Sequence, residues 1–355
     1  MKPVYLPGRG LACALGLDLK TSLAALRKGE STSATRSLRG EPGESCLYPY
    51  RAISDVHPDW SERARALVQR VAAEAGAQKA CDGALFIATS SFNIGALEQG
   101  KEQIDYRAFA DDIAAWLEWT GLVYVVSTAC TSSQNALLAA HALLRSGEAD
   151  DALVLGVELD NQMTPGGFAA LQLLSPSRSQ PFGAQRDGLV LGEAVAALRL
   201  STREPAHWKM LGGASVVDGR QPTGASASAV VSLYQRALTQ SGLAANAIDL
   251  IAVQAAGSPL NDAVEAQGLL EAFEVMPALV SLKAAIGHTL GAAGAAEIAL
   301  LLGCLEGGVV PPCPDAVDET LGVKLLARLP DSVRRVMATT LGFGGSHASV
   351  VLACA

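Results

Sequence analysis

Aromatic residues and charged residues are both scarce in this sequence of 355 residues. Aromatics make up 5% and charged residues 17%, whereas half of the chain is apolar and 35 residues are glycine. Such a chain does not remain disordered, because it carries enough apolar surface to bury a large core. With few aromatic side chains, that core must be packed mainly by Ala, Leu, Val and Gly, which suits helices and strands that approach one another closely.

Positive charge is in the minority, and this excludes one class of partner. Lysine and arginine number 27 against 35 acidic residues, for a net charge of −8 and without a long basic run. Nucleic-acid-binding domains usually carry a basic patch, so we expect no nucleic acid partner. The uncharged segment 121–144 contains many hydroxyl and amide side chains. It suits a buried strand and helix better than lipid, so we expect no membrane span.

The chain lacks the common metal, nucleotide and secretion signals. Its seven cysteines are odd in number and have no CxxC spacing. This favours reduced thiols, no metal site and a cytoplasmic location. The N-terminal MKPVYLPGRG has Pro and Arg where a secretory signal would be apolar. No GxGxxG motif, Walker A lysine or serine-hydrolase elbow occurs.

Short β-rich runs alternate with longer Ala- and Leu-rich runs, and this alternation predicts an α/β fold. We expect strands over 1–8 and 190–200, helices over 19–28 and 130–146, and a hairpin pairing 336–340 with 348–352. The best boundary is 201–205, so the chain divides into 1–203 and 204–355. A strand, polar turn and Ala-rich helix occur at 123–147 and again at 279–307, a weak indication of two related halves.

Cys130 is the strongest candidate nucleophile. It lies between an apolar strand and the first turn of a long helix, in the segment VVSTACTSSQNALL. Free backbone N–H groups and the helix dipole stabilise a thiolate at such a position. A buried structural cysteine is the usual alternative, but the polar turn favours a nucleophile here.

His288, one of five histidines, also lies at a turn before an Ala-rich helix. It could donate to a developing oxyanion or accept a proton, or it could be a structural histidine. Glu297 is a lone carboxylate on an Ala/Leu face and needs a partner, for which Lys283 is the candidate. In LGFGGSHAS, Phe343 lies between glycines, where backbone N–H groups could face a ligand or simply form a tight turn.

Six segments in order are similar to the β-ketoacyl-acyl-carrier-protein synthase family, of the elongating type. They are VYLPGRGLACALGLDLKTSLAALRKGES, STACTSSQNAL, QPFGAQRDGLVLGEAVAALRL, SPLNDAVEAQGL, SLKAAIGHTLGAAGAAE and TTLGFGGSHASVVL. The resemblance implies a thiolase-like α/β fold of five αβαβα layers, built from two pseudo-duplicated halves. It also implies a dimer.

The resemblance further implies a decarboxylative Claisen condensation between malonyl-acyl carrier protein and an acyl chain held on Cys130. Cys130 and Phe343 would supply the oxyanion-hole N–H groups, and Phe343 would also gate the site. His288 would stabilise the enolate, with Lys283 and Glu297 as a supporting pair. No metal or organic cofactor is expected, because the substrates are attached as thioesters to the phosphopantetheine of the acyl carrier protein.

The sequence departs from the family where the first active-site histidine is expected. Gln254 stands there, and an amide cannot relay a proton near neutral pH. Ser258 retains one of two hydroxyls that would meet pantetheine. In the terminal loop, Gly344 is retained, and His347 is either a surface-turn residue or a second imidazole near the site. We take Gln254, Ser258, Gly344 and His347 as candidate substrate-binding residues.

Three functions therefore remain open. The chain could be a diverged condensing enzyme, working as a homodimer, or a non-elongating acyltransferase in which decarboxylation fails. It could instead be a chain-length-factor subunit that forms a heterodimer with another ketosynthase. In each case we expect an acidic carrier protein to meet basic residues of this chain. Arg63, Arg65 and Arg70 are the candidates, and the alternative is that they form an ordinary solvated helix face. The pathway could be fatty acid, polyketide or polyene biosynthesis.

Overall fold

The structure is a computed structural model that describes residues 2–30, 33–39, 45–55, 57–101, 105–220, 222–314 and 316–355. Its strands are β1 (Val4–Cys13), β2 (Ala34–Arg39), β3 (Ser45–Arg51), β4 (Ala84–Ala88), β5 (Leu122–Val126), β6 (Asp151–Glu158), β7 (Leu191–Gly192), β8 (Ala194–Ser201), β9 (Trp208–Val217), β10 (Leu250–Ala252), β11 (Ala278–Val280), β12 (Arg335–Leu341) and β13 (Ser346–Cys354). Its α-helices are α1 (Leu19–Lys28), α2 (Trp60–Glu74), α3 (Ile94–Glu98), α4 (Tyr106–Trp116), α5 (Ser132–Ser146), α6 (Met163–Ala170), α7 (Ala227–Ser241), α8 (Pro259–Ala272), α9 (Lys283–Ile286) and α10 (Ala293–Gly307).

Two sets of five strands repeat the same topology. The first set lies in the order β5-β4-β6-β8-β1 and the second in the order β11-β10-β12-β13-β9. When the strands are numbered along the chain within each set, both orders are 3-2-4-5-1. In both sets strand 5, which is β8 or β13, is antiparallel to its neighbours. A short pairing of β1 with β9 joins the sets into one sheet of 10 strands. The chain is therefore built from two related halves.

The helices pack in layers around these two half-sheets. Helices α5 and α10 lie between them, since α5 contacts β4 and β6 as well as β9 and β13, and α10 contacts β8 as well as β12. Helices α2 and α4 cover the outer face of the first half-sheet, and α7 and α8 that of the second. The layer order is α-β-α-β-α, and it places the N-termini of both central helices in the interior.

Local signals explain several element boundaries. Helix α1 begins where the Asp18 carboxylate accepts the Thr21 N–H, and it ends at Gly29, whose φ of +68° suits glycine. Gly147 ends α5 in the same left-handed conformation. Both helix ends agree with the prediction. The terminal hairpin also has the predicted register, with Val336 opposite Leu352 and Thr340 opposite Ala348.

Other predicted elements are wrong in detail. The first strand extends to Cys13 rather than ending at position 8, and position 1 lies outside the described residues. The predicted single strand over 190–200 is two strands in different sheets, because β7 pairs with β3 and β8 with β1. The break is at Glu193, whose carboxylate turns away to bind Arg63. The proposed boundary at 203/204 lies in the connection between β8 and β9.

One helical segment does have the length and composition of a membrane span, contrary to the sequence-based expectation. It is Leu290–Gly307, and 83% of it is buried inside the protein. The reason is its place in the fold: it contains α10, which packs between two half-sheets and is therefore apolar on all sides.

Candidate active site

Cys130 lies in a tight turn between the end of β5 and the start of α5. The preceding residue, Ala129, has a φ of +52°, a left-handed conformation that non-glycine residues seldom adopt. This strained turn places Cys130 just before the first helical residue, Ser132, with its side chain almost fully buried. The backbone N–H groups of Phe343 and of Cys130 itself lie beside the thiol and lower its pKa. Two backbone donors thus converge on the reacting atom.

His288 faces Cys130 from the second half of the chain. Its Nε2 lies 3.0 Å from the Cys130 sulfur. Strand β7 fixes the backbone of this residue, because His288 N–H donates to the carbonyl of Val190 and the His288 carbonyl accepts the N–H of Gly192. The histidine is 2% exposed, so the pair is shielded from water.

Burial keeps both partners of this pair uncharged at rest. It raises the pKa of the Cys130 thiol to about 12, although the Phe343 N–H and the Lys283 charge oppose the shift. Burial and the Lys283 charge lower the pKa of His288 to about 3. The resting state is therefore a neutral thiol beside a neutral imidazole, and the thiol can pass its proton to Nε2 as the sulfur attacks.

Lys283 and Glu297 form a buried ion pair behind His288. Lys283 Nζ lies 2.5 Å from Glu297 Oε1, and both side chains are at most 5% exposed. Burial raises the pKa of Glu297, and the lysine opposes that shift. The structure thus supplies the partner that the sequence predicted for Glu297. The ammonium also favours negative charge on the Cys130 sulfur and disfavours an imidazolium at His288.

A polar wall formed by the Gln254–Ser258 segment and α8 faces the thiol. Gln254 lines the same cavity as Cys130 and His288, and its buried Oε1 has no hydrogen-bond partner among the described residues. The Gln254 N–H donates to Glu265 Oε1 at 2.8 Å. Ser258 also lines the cavity and caps α8, where its Oγ accepts the Asn261 N–H. Gln254 thus presents an amide, which does not titrate near neutral pH, to the cavity that contains Cys130 and His288.

The sequence reasoning missed two buried carboxyl groups beneath this wall. Asp262 accepts N–H groups from Phe182, Ala256 and Gly257. Burial raises the pKa of Asp262 to about 6 and that of Glu265 to about 8. The sequence signal that could have revealed Asp262 and Glu265 is their spacing of three residues, which puts both carboxyl groups on one face of α8.

The cavity is closed by two stacked aromatic rings. Phe343 stacks on Phe168 of α6, with ring centroids 5.3 Å apart. The space left beside Cys130 has a volume of about 30 Å³, enough for about two water molecules. Both rings line the cavity that contains the Cys130 thiol. Phe168 was not predicted, because a helix that is apolar on all sides does not reveal which residue contacts a loop 175 positions away.

Two family models match the chain over most of this site. "Beta-ketoacyl synthase, N-terminal domain" covers residues 93–206, and "Beta-ketoacyl synthase, C-terminal domain" covers residues 209–316. The chain belongs to the β-ketoacyl synthase family. This confirms the family predicted from the motifs.

Curated relatives and solved structures agree with this assignment. The chloroplastic 3-oxoacyl-[acyl-carrier-protein] synthase II of Arabidopsis thaliana is 32% identical over 275 residues, which are 68% of this chain and 49% of the relative. The 3-oxoacyl-[acyl-carrier-protein] synthase 2 of Mycobacterium leprae is 29% identical over 64% of this chain and 59% of its own length. The chain therefore matches about half to three-fifths of these relatives.

Alignments with solved structures extend over the whole chain. One chain of the complex between a ketosynthase and its chain length factor from Xenorhabdus doucetiae aligns with a TM-score of 0.86 and 25% identity, over 100% of this chain and 98% of that chain. A β-ketoacyl synthase from Burkholderia phymatum aligns with a TM-score of 0.83 and 25% identity, over 100% of both chains. The thiolase-like five-layered fold predicted from the motifs is confirmed.

In this β-ketoacyl synthase family member, two terminal-loop residues lie away from the residues that line the cavity. Gly344 is exposed, and its N–H donates to the carbonyl of Pro222. The prediction of a surface-turn position for His347 is wrong. His347 is fully buried in β13, between β9 and β12. Burial lowers its pKa, although the charge of Asp218 opposes the shift. The second hairpin strand begins at Ser346, two residues before the predicted start at position 348, so His347 lies inside the strand.

Arg63 is not available to a carrier protein. It is buried in α2 and binds Glu193, with the closest pair of atoms, Nη1 and Oε1, 2.5 Å apart. Arg65 and Arg70 lie on the exposed face of the same helix. Only these two of the three predicted docking residues can meet a partner. In the part of the chain that the structure describes, no three metal-ligating side chains lie together.

Proposed function

We propose that this β-ketoacyl synthase family member condenses an acyl group held on Cys130 with a malonyl group, each delivered by an acyl carrier protein. The observation that carries the proposal is the Cys130 thiol 3.0 Å from His288 Nε2, with the N–H groups of Cys130 and Phe343 on the sulfur. These are the parts that an acyl-thioester exchange requires: a nucleophile, a proton acceptor and two oxyanion donors.

The first step is acyl transfer. The Cys130 sulfur attacks the thioester carbon of the acyl carrier, and its proton passes to His288 Nε2. The oxyanion accepts the two backbone N–H groups, after which the bond from carbon to pantetheine sulfur breaks. His288 returns the proton to the departing pantetheine thiolate. The products are acyl-Cys130 and a free carrier thiol.

The second step is decarboxylative condensation. The malonyl group loses carbon dioxide, and the resulting enolate carbon attacks the acyl-Cys130 carbonyl. A carbon–carbon bond forms, the carbon–sulfur bond to Cys130 breaks, and the cysteine thiolate takes up one proton. The amide of Gln254 and the imidazole of His288, now in its Nε2–H tautomer, donate to the malonyl thioester oxygen, so that Gln254 supplies a hydrogen bond but no proton.

The substrates enter on phosphopantetheine arms, and the proposal needs no other cofactor. The arm passes between Phe343 and Phe168, with Ser258 beside the opening, which requires these rings to part. Gly344, at the tip of the loop, has a φ of +77°, which suits a residue without a side chain. Arg65 and Arg70 remain the proposed contacts for the acidic carrier.

Intact-protein mass spectrometry tests this function. The chain and a Cys130→Ala variant are mixed with acyl- and malonyl-carrier protein. We expect an acyl adduct on the wild type alone and a carrier product extended by two carbons. An adduct without extension would instead identify a non-elongating acyltransferase. The absence of any adduct would overturn both of these enzyme functions.

A chain-length-factor role is the second candidate, and Gln254 favours it. An amide in place of an imidazole removes a titratable group from the condensing site, and the Xenorhabdus doucetiae structure pairs a ketosynthase with a chain length factor. In this role the chain forms a heterodimer with a complete ketosynthase. Coexpression and affinity purification with such a ketosynthase distinguish it, since a homodimeric enzyme remains active and stable without that partner.

A further inference from the structure

The Phe343 loop is a closed unit that is fastened at several points. The Gly342 N–H donates to the Ser346 carbonyl at 2.8 Å, which closes the loop on itself. A side chain at Gly342 would collide with that carbonyl, since its Cβ would lie 2.9 Å from the oxygen. Phe343 lies inside the closed loop, so the position of its N–H follows the position of Ser346.

Ser346 is in turn bound to the nucleophile turn. Its Oγ lies 2.9 Å from Thr131 Oγ1, in the residue after Cys130. Asn135, one turn along α5, reaches the same point: its Nδ2 lies 2.8 Å from Thr128 Oγ1, 3.2 Å from Thr131 Oγ1 and 3.5 Å from Ser346 Oγ. One amide group thus joins the two sides of the Cys130 turn to the Phe343 loop.

This connection matters because the two oxyanion donors belong to different halves of the chain. The Cys130 N–H is fixed by the first half, and the Phe343 N–H by the loop between β12 and β13. Oxyanion donors act at 2.7–3.1 Å from the developing charge, so a small displacement of one donor weakens the stabilisation. The spacing of the two N–H groups therefore depends on what binds the loop to the turn.

We propose that Asn135 and Ser346 are positioning residues that fix the spacing between the Phe343 N–H and the Cys130 N–H. Neither residue touches the reacting atoms. The inference rests on the proposed acyl transfer at Cys130 and adds the residues that set its oxyanion geometry.

The test compares two reactions of the same thiol. Acylation of Cys130 by p-nitrophenyl acetate forms a sulfur–carbon bond through an oxyanion, and p-nitrophenol leaves with the thiol proton. Alkylation by iodoacetamide forms a sulfur–carbon bond by direct displacement of iodide, without an oxyanion. Both rates are followed at Cys130 by peptide mass spectrometry, and KM and kcat are determined separately for acylation.

We expect Asn135→Ala and Ser346→Ala to lower kcat for acylation about tenfold, less than the 10²–10³-fold typical of losing an oxyanion donor outright. Iodoacetamide alkylation should stay within about twofold, because its transition state needs no oxyanion donor. Ser346→Thr keeps the hydroxyl and should restore acylation. The matched control is Ser146→Ala, which removes an exposed hydroxyl from the far end of α5.

Three results separate the possibilities. If acylation and alkylation fall together, the residues support the thiol or the fold, and the inference is wrong; thermal unfolding of each variant identifies a folding defect. If neither rate changes, the hydrogen bonds position nothing. If the contrast appears with p-nitrophenyl acetate but acyl-carrier protein never acylates Cys130, the proposed function fails and this inference stands.

Discussion

At the scale of single residues, burial governs how the Cys130 thiol ionises. Because burial raises the thiol pKa to about 12 and lowers the His288 pKa to about 3, neither group is charged near neutral pH. The Lys283 charge lowers the thiol pKa but does not compensate for the loss of water. The reactivity of Cys130 then depends on proton transfer during attack rather than on a preformed thiolate.

This gives a pH prediction. A thiol whose pKa is raised exposes a thiolate fraction that grows about tenfold with each pH unit below that pKa. Iodoacetamide alkylation of Cys130 should therefore rise steadily from about pH 6 to about pH 10. Peptide mass spectrometry separates Cys130 from the exposed Cys46 and Cys313. A plateau already reached near neutral pH would mean that Cys130 and His288 form a thiolate–imidazolium pair instead.

A second residue-scale prediction concerns Gln254. Substituting Gln254→His would add a second titratable imidazole to the cavity that His288 lines. We expect the rate of carbon dioxide release from malonyl-carrier protein to rise about tenfold or more, because general acid–base groups typically contribute 10²–10⁴-fold. The gain should be largest near the pKa of the new imidazole.

Two controls limit this interpretation. Gln254→Asn keeps an amide but shortens it, so it should lower carbon dioxide release by withdrawing the hydrogen bond. Cys130 acylation should change little in either variant, since its proton acceptor is His288. If Gln254→His leaves carbon dioxide release unchanged, the amide is not the limiting departure from the family.

At the scale of secondary structure elements, Arg63 joins α2 to the break between β7 and β8. Its guanidinium binds both oxygens of Glu193 and the carbonyls of Ile53 and Asp55. The Glu193 carboxylate also accepts the N–H groups of Ile53 and Asp160. The pair therefore satisfies a whole set of buried backbone groups.

Removing one partner of a buried pair should be costly. We expect Arg63→Ala to lower the free energy of unfolding by about 3–5 kcal/mol, because Glu193 would keep an uncompensated charge in the interior. Urea denaturation followed by circular dichroism measures the change. Arg65→Ala and Arg70→Ala serve as controls on the exposed face and should change stability by less than about 0.5 kcal/mol. A loss as small as theirs for Arg63→Ala would show that Glu193 finds another partner or a proton.

The helical period could have placed Arg63 correctly. Trp60, Ala64, Leu67 and Val71 form the buried face of α2, and Arg63 lies four residues before Leu67 on that same face. Reading the arginines only as a charged cluster hid this. Composition indicates that a residue is charged, whereas its place in the period indicates whether water reaches it.

The same distinction explains how much of the site could be predicted. Cys130, His288 and Gln254 lie in local motifs, and the structure brings all three to one cavity. Phe168 lies in none of these motifs, and the motifs that contain Asn135 and Glu265 did not single those two residues out, because their roles arise from contacts with other segments. The strand break at Glu193 was missed for the same reason: its cause is Arg63, 130 residues away.

At the scale of the whole molecule, the active site exists only because two repeated halves meet. The first half contributes the nucleophile at the start of α5, and the second contributes His288, Gln254 and the Phe343 loop. Neither half holds both oxyanion donors. The repeated strand order places the two chemical turns at equivalent positions, facing each other across the central helix layer.

The outer edge of this assembly points to a partner. Strand β5 is the last strand of the first half-sheet, and it exposes Leu122 (63%), Tyr124 (39%) and Val125 (36%). An apolar edge strand offers free backbone groups and apolar side chains to a second chain, and proteins seldom leave one uncovered. The family resemblance implies a dimer, and we expect this exposed strand, only a few residues from Cys130, to form the contact of the homodimer or heterodimer.

This contact can be broken by charge. In Leu122→Lys, two lysines would face each other or lose water at the contact, so the dimer should dissociate at concentrations where the wild type remains associated. Sedimentation velocity measures the change in mass. Val275→Lys is the matched control, because Val275 is 71% exposed and lies outside β5. A Leu122→Lys chain that keeps the mass of the wild-type dimer would place the interface elsewhere. Because β5 leads directly into the Cys130 turn, dissociation should also slow Cys130 acylation, whereas an interface remote from that turn would leave acylation unchanged.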